Sequence, residues 1–201
     1  MGIVSEVTNN IIDQLYNSGE LDKASLAALR NASSFESHQA TKIWPLFFET
    51  INQLNLDTKE RGKILTQTGT PSYTQQAIFT TLKMYAIYQR GIDDHSVADE
   101  KGRSFFQALN KVRNERSEED RQSLDRRATN LFGSTNIQGI LNSLVQLQRL
   151  LKSENDTLTI NYGKLSADIL QLQFDYESMR KVILRWGQDY FNRPLVKKEN
   201  D

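Results

Sequence analysis

Residues 72–90 read SYTQQAIFTTLKMYAIYQR, and this stretch decides the fold class. Ser72 followed three residues later by Gln75 is a capping box, in which each side chain satisfies a backbone N–H at the start of a helix. Ile78, Leu82, Tyr85 and Ala86 then recur at helical spacing, and Gly91 supplies the left-handed residue that closes such a helix. The stretch is the expected central helix. The same period runs outward in both directions. Upstream, Ile3, Val7, Ile11, Ile12 and Leu15 share one stripe that ends at Asn17-Ser18-Gly19, and LDKASLAALRNASS can turn Leu21, Ala24, Ala28 and Leu29 inward. KIWPLFFETINQL gathers Trp44, Leu46, Phe47 and Ile51, with Pro45 suited to a first helical turn. From Asn55 to Thr70 the chain turns polar.

Downstream, IDDHSVADE reads as an acidic, mobile loop and as the boundary between two lobes. Beyond it, Phe106, Ala108, Leu109 and Val112 form an inner face, Ser117 opens a helix that Gly133 ends, and Ile137, Leu141, Leu144, Leu147 and Leu151 mark a further helix. A helix around Leu165 to Leu172 follows the ENDT link. Met179, Val182, Ile183, Trp186 and Tyr190 make the last stripe, and the tail from Pro194 is expected to fray. No run alternates at period two for long. The expected fold is therefore all-α, with roughly nine helices in two bundled lobes: an N-terminal helical lobe over residues 1–97 and a C-terminal basic helical bundle over 98–201.

The 201 residues suffice for a sizeable core without a staple, and the chain has no cysteine, which excludes disulfides and thiolate zinc sites and fits the reducing cytoplasm. No segment approaches the ~18 consecutive apolar residues of a membrane span, so no membrane partner is expected. The 25 basic and 25 acidic side chains cancel, but not uniformly: residues 1–100 carry 8 against 12 and residues 101–201 carry 17 against 13. A neutral chain can thus present one phosphate-attracting face.

That face centres on KGRSFFQALNKVRNERSEEDRQSLDRRATNLF, residues 101–132, with eight Lys or Arg against five Asp or Glu. Arginine predominates, and its planar guanidinium suits phosphate and base stacking. Lys111, Arg113, Arg116, Arg126 and Arg127 are the candidates here. Arg116 lies about 140° around a helix from Lys111, so two antiparallel helices are needed to align the set. The competing reading is helical salt bridging to Glu115, Glu119 and Asp125. Catalytic signatures are absent: His38 and His95 sit in no ligand spacing, and the phosphate loop, dinucleotide and nucleophile-elbow patterns are missing. Glu118, Glu119 and Asp120 fan around a helix start, where the dipole favours them. No enzyme, cofactor or metal site is expected.

Several blocks in order resemble the CasB family, the small subunit of the type I-E CRISPR Cascade complex. They are AALRNA near Arg30, TLKMYAIYQ, GRSFFQAL, DRRATNLF with Arg126 and Arg127, VQLQRLL at Arg149, and LSADILQLQFDYESMRKVILRWGQDYF. The chain departs at Gln148 and Asn31, where the family often has a basic residue. The resemblance implies a non-catalytic helical subunit that sits, as two copies, among other Cascade subunits on CRISPR RNA and holds target DNA strands of the R-loop by their backbone, in antiviral defence. It extends the candidate set to Arg30 and Arg149. The alternative, reached from the residues alone, is a helical protein-interaction adaptor whose charges are ordinary surface.

Overall fold

A computed structural model describes residues 2–66, 68–155 and 157–192; the tail from Pro194 lies outside them. Among the described residues there are ten α-helices and one short strand: α1 Ile3–Tyr16, α2 Lys23–Asn31, α3 Trp44–Gln53, α4 Thr58–Ile64, α5 Tyr73–Tyr88, β1 Ala98–Arg103, α6 Phe105–Glu115, α7 Glu118–Gly133, α8 Ile137–Glu154, α9 Tyr162–Leu172 and α10 Tyr176–Phe191. The fold is all-α, as the periodicity predicts.

The centre is α5. Its Ser72–Gln75 capping box forms, and 13 of its 16 residues are buried, which a helix achieves only when neighbours surround it. Helices α1, α2, α8 and α9 supply that shell. The approach of α1 to α9 is close because small groups meet there. Ser5 donates to the Gly163 carbonyl at 2.7 Å, and a Cβ on Gly163 would stand 2.6 Å from Asn9 Oδ1. In the other half, Phe106 stacks on Trp186 with ring centroids 4.9 Å apart. Trp186 Nε1 and Arg185 donate to the two oxygens of Asp168, at 2.7 and 2.6 Å, so that this buried carboxylate is fully partnered. Buried apolar residues on either side of positions 97 and 98 belong to one continuous cluster.

Three details differ from the sequence reading. Ala24 is exposed and Leu26 takes the inward position on α2, because the helix starts at Lys23 behind the Asp22 cap and its stripe is offset accordingly. Within the polar stretch Asn55–Thr70 a capping box of Asp57 and Glu60 opens α4. The acidic segment after Gly91 is tied back to the end of α5 by hydrogen bonds. The Gln89 amide donates to the carbonyls of Ile92 and His95 at 2.5 and 2.8 Å and accepts from Val97 N–H at 2.9 Å. Beyond it β1 wraps Ile160, whose N–H bonds the Val97 carbonyl, while Arg103 and Asn161 continue the pairing.

Candidate nucleic-acid interface

Helices α6, α7 and α8 carry most of the candidate cations, and their side chains divide into tied and free. Arg113 is tied. It holds Asp125 bidentately at 2.6 and 2.9 Å, Tyr190 donates its hydroxyl to the same carboxylate at 2.7 Å, and the guanidinium lies 5.6 and 5.4 Å from the ring centroids of Tyr190 and Phe191. Hydrogen bonding to Arg113 keeps the Asp125 carboxyl below the usual carboxylate range, and the same bond raises Arg113. Its side chain is 19% exposed. Arg116 is 13% exposed and joins the end of α6 to the end of α8 through Glu154 at 2.8 Å. Arg121, whose role the sequence did not reveal, donates to the carbonyls of Arg113 and Arg116 at 3.3 and 3.4 Å and so finishes α6. Lys111 reaches Glu115 only at 4.0 Å, too long to hold it firmly.

Arg126 and Arg127 are the free ones. Leu124, Ala128 and Leu131 turn inward from α7, which sends both arginines outward, exposed and without an ion pair or hydrogen bond among the described residues. Arg149 is likewise exposed, on the neighbouring α8. Gln148 beside it is buried and accepts from the Tyr162 hydroxyl at 3.2 Å, so that position faces the core. Arg30 is half-buried and donates to the Ala86 carbonyl at 3.1 Å. Burial, then Arg90, lowers its pKa.

Arg149 stands on the wall of a groove of about 510 Å³ between α5 and α8. Across it is Lys83, which donates to the carbonyl of Ala32 at the end of α2, a favourable place for a cation. Burial and then Arg149 push the Lys83 pKa down. Lys83 was missed by pattern, although it is the one charged residue between Ser72 and Gln89, a conspicuous charge in a helix buried nearly all round. Element packing runs α2, α5, α8, α7. The candidates therefore fall into two groups, Lys83 and Arg149 at the groove with Arg30 beyond α5, and Arg126, Arg127 and Lys111 on the α6–α7 side. Among the described residues no group of three or more His, Asp or Glu could hold a metal ion, and no helix is long and apolar enough to cross a membrane.

The family model of CRISPR-associated protein Cse2 matches residues 25–191. The chain belongs to the Cse2 family. The CasB motifs read in the sequence are borne out by this match and by the fold of CasB from Thermobifida fusca, whose crystal structure superposes with a TM-score of 0.63 at 18% identity, covering 93% of this chain and 94% of that one. Cse2 membership makes this a CRISPR-associated protein. A sorting nexin-4 from Schizosaccharomyces pombe is 27% identical over 104 residues, 52% of this chain and 26% of that protein; the chain thus spans about a quarter of its length, and a partial match of this extent assigns nothing further to the Cse2 protein.

Proposed function

We propose that this Cse2-family protein is a non-catalytic, strand-holding subunit of a type I-E Cascade, working in the cytoplasm beside CRISPR RNA, other Cascade subunits and a second copy of itself. Its cations grip the sugar-phosphate backbone of target DNA, above all the displaced strand, and so favour the open R-loop. The free energies of the duplex lost and the heteroduplex gained nearly balance, so a few backbone contacts are enough to tip it. The observation that carries this reading is the adjacent pair Arg126 and Arg127, exposed and unpartnered among the described residues beside arginines that are tied. No carboxylate stands three or four residues from either arginine, and the adjacent Asp125 is taken by Arg113 and Tyr190, so both guanidiniums are suited to an external anion. Arg149, Lys111 and Arg30 extend the grip, whereas Arg113 and Arg116 act chiefly by fixing α6, α7 and α8.

The test is binding of a labelled single-stranded DNA over a salt series. Replacing Arg126 and Arg127 by alanine should lower the slope of log affinity against log salt by about 1.4, from two single-strand phosphate contacts. An unchanged slope, with the variant still folded, would overturn the assignment. The adaptor reading draws on a different observation. Tyr73, Phe174 and Tyr176 are 54, 60 and 66% exposed, and Gln173, which donates to the Tyr73 carbonyl at 3.1 Å, brings their two segments together. Exposed aromatics of this kind suit a contact with another subunit.

A further inference from the structure

The groove between α5 and α8 is more than a place for one arginine. Lys83 and Arg149 face it with like charge, Glu36 is the single carboxylate on its lining, and neither cation makes an ion pair among the described residues. Between them the floor is apolar, built from Phe79, Leu141 and Val145, and Phe79 is braced by Phe35 with ring centroids 6.1 Å apart. One wall is a ladder of amides, Gln138, Asn142 and Gln146, at successive turns of α8. Each amide both donates and accepts, so the ladder meets any base edge without demanding a particular one. At about 510 Å³ the space lies within the usual range for small-ligand sites, about 300–1,000 Å³.

We propose that this groove takes one unstacked nucleotide of a single-stranded nucleic acid, its phosphate between Lys83 and Arg149 and its base on the apolar floor against the α8 amides. The inference rests on the strand-holding reading and deepens it: the subunit grips a base as well as backbone, and does so on α5 and α8, apart from the α7 pair. A run of Asp and Glu would answer the two cations but brings no flat ring for the floor. Both cations gain a counterion when the strand enters, which offsets the repulsion between them.

The experiment follows side-chain amide signals of the full-length protein by NMR while adding an eight-residue oligothymidylate at about 50 mM salt, with inorganic phosphate, an abasic strand of equal length and polyglutamate as parallel probes. Oligothymidylate should move the Gln138, Asn142 and Gln146 signals, and the abasic strand should bind about fivefold or more weakly, since one stacked base is worth at least that factor. Lys83→Gln with Arg149→Gln, which keeps a donor for the Ala32 carbonyl, should weaken oligothymidylate about tenfold. Gln146→Trp, at an exposed helical position, should fill the groove and abolish the preference over the abasic strand.

Shifts confined to α7 around Arg126 would overturn the groove while leaving the strand-holding function intact. Equal affinity for the abasic strand would do the same. Equal groove shifts with polyglutamate would make the occupant an acidic protein segment and overturn the inference. No response to any strand would overturn both the inference and the function on which it rests.

Discussion

Arg113 and Arg126 lie thirteen positions apart in one basic stretch, and what separates their roles is the company each keeps. Arg113 is enclosed by Asp125, Tyr190 and Phe191, so Arg113→Ala removes a bidentate pair and leaves a half-buried carboxylate short of partners. A loss of about 2 kcal/mol is expected in urea unfolding, with Arg126→Ala in the same assay staying within about 0.5 kcal/mol of wild type. The pair also sets a pH dependence. The folded Asp125 carboxyl is held down, by Arg113 first, so its contribution is complete above the unfolded value of about 3.9 and disappears as pH falls through the lower folded one. Asp125→Asn should therefore flatten the acid limb of the stability curve below about pH 4. An equally steep limb in the variant would place the acid-labile group elsewhere. Local spacing could not expose this arrangement, because Tyr190 arrives 65 residues after Asp125. The sequence supplied a list of cations, and only packing sorts the tied from the free.

Among the elements, those marked by side-chain chemistry were the easiest to read. Ser72 with Gln75 announces α5, and the hydroxyl also donates to the Ile64 carbonyl at 2.7 Å, tying α4 to the start of α5. Ser72→Ala should cost about 2 kcal/mol, one part for the cap and one for the lost carbonyl bond, measured by thermal or urea unfolding. Helix α4 escaped notice because it is seven residues long and buries only Ile64, too little for a stripe, although its Asp57–Glu60 box is the same signature. Strand β1 was illegible for a different reason. ADEKGR has no apolar alternation, and its pairing is made by backbone to residues 159–161. Gly102 permits that approach: a Cβ there would sit 2.8 Å from the Asp99 carbonyl oxygen and 3.0 Å from Thr159 backbone. Gly102→Ala is expected to speed hydrogen exchange at the Ile160 amide, and unchanged protection would mean that the loop yields without cost.

At the scale of the whole molecule, the charge division near residue 97 and the packing need not coincide. Trp44 and Trp186 report from opposite sides of it, so single-tryptophan variants, each replacing the other by phenylalanine, can follow the two halves separately. With one continuous apolar cluster, the two fluorescence midpoints in urea are expected to coincide. Separate midpoints would make 1–97 and 98–201 independent lobes. The all-helical class and the central place of α5 were readable from periodicity, because both are repeated along the chain. The partners of α1 were not, since nothing in Ile3–Tyr16 points to residues so distant. The seat of Ser5 on the Gly163 carbonyl also bears on the order of events during synthesis. The apolar stripe of α1 leaves the ribosome long before α9 exists. At ~5–20 residues per second the wait is on the order of ten seconds, and for that time the side of α1 that α9 will cover is a greasy surface that a ribosome-bound chaperone, or a transient wrong partner, is free to occupy.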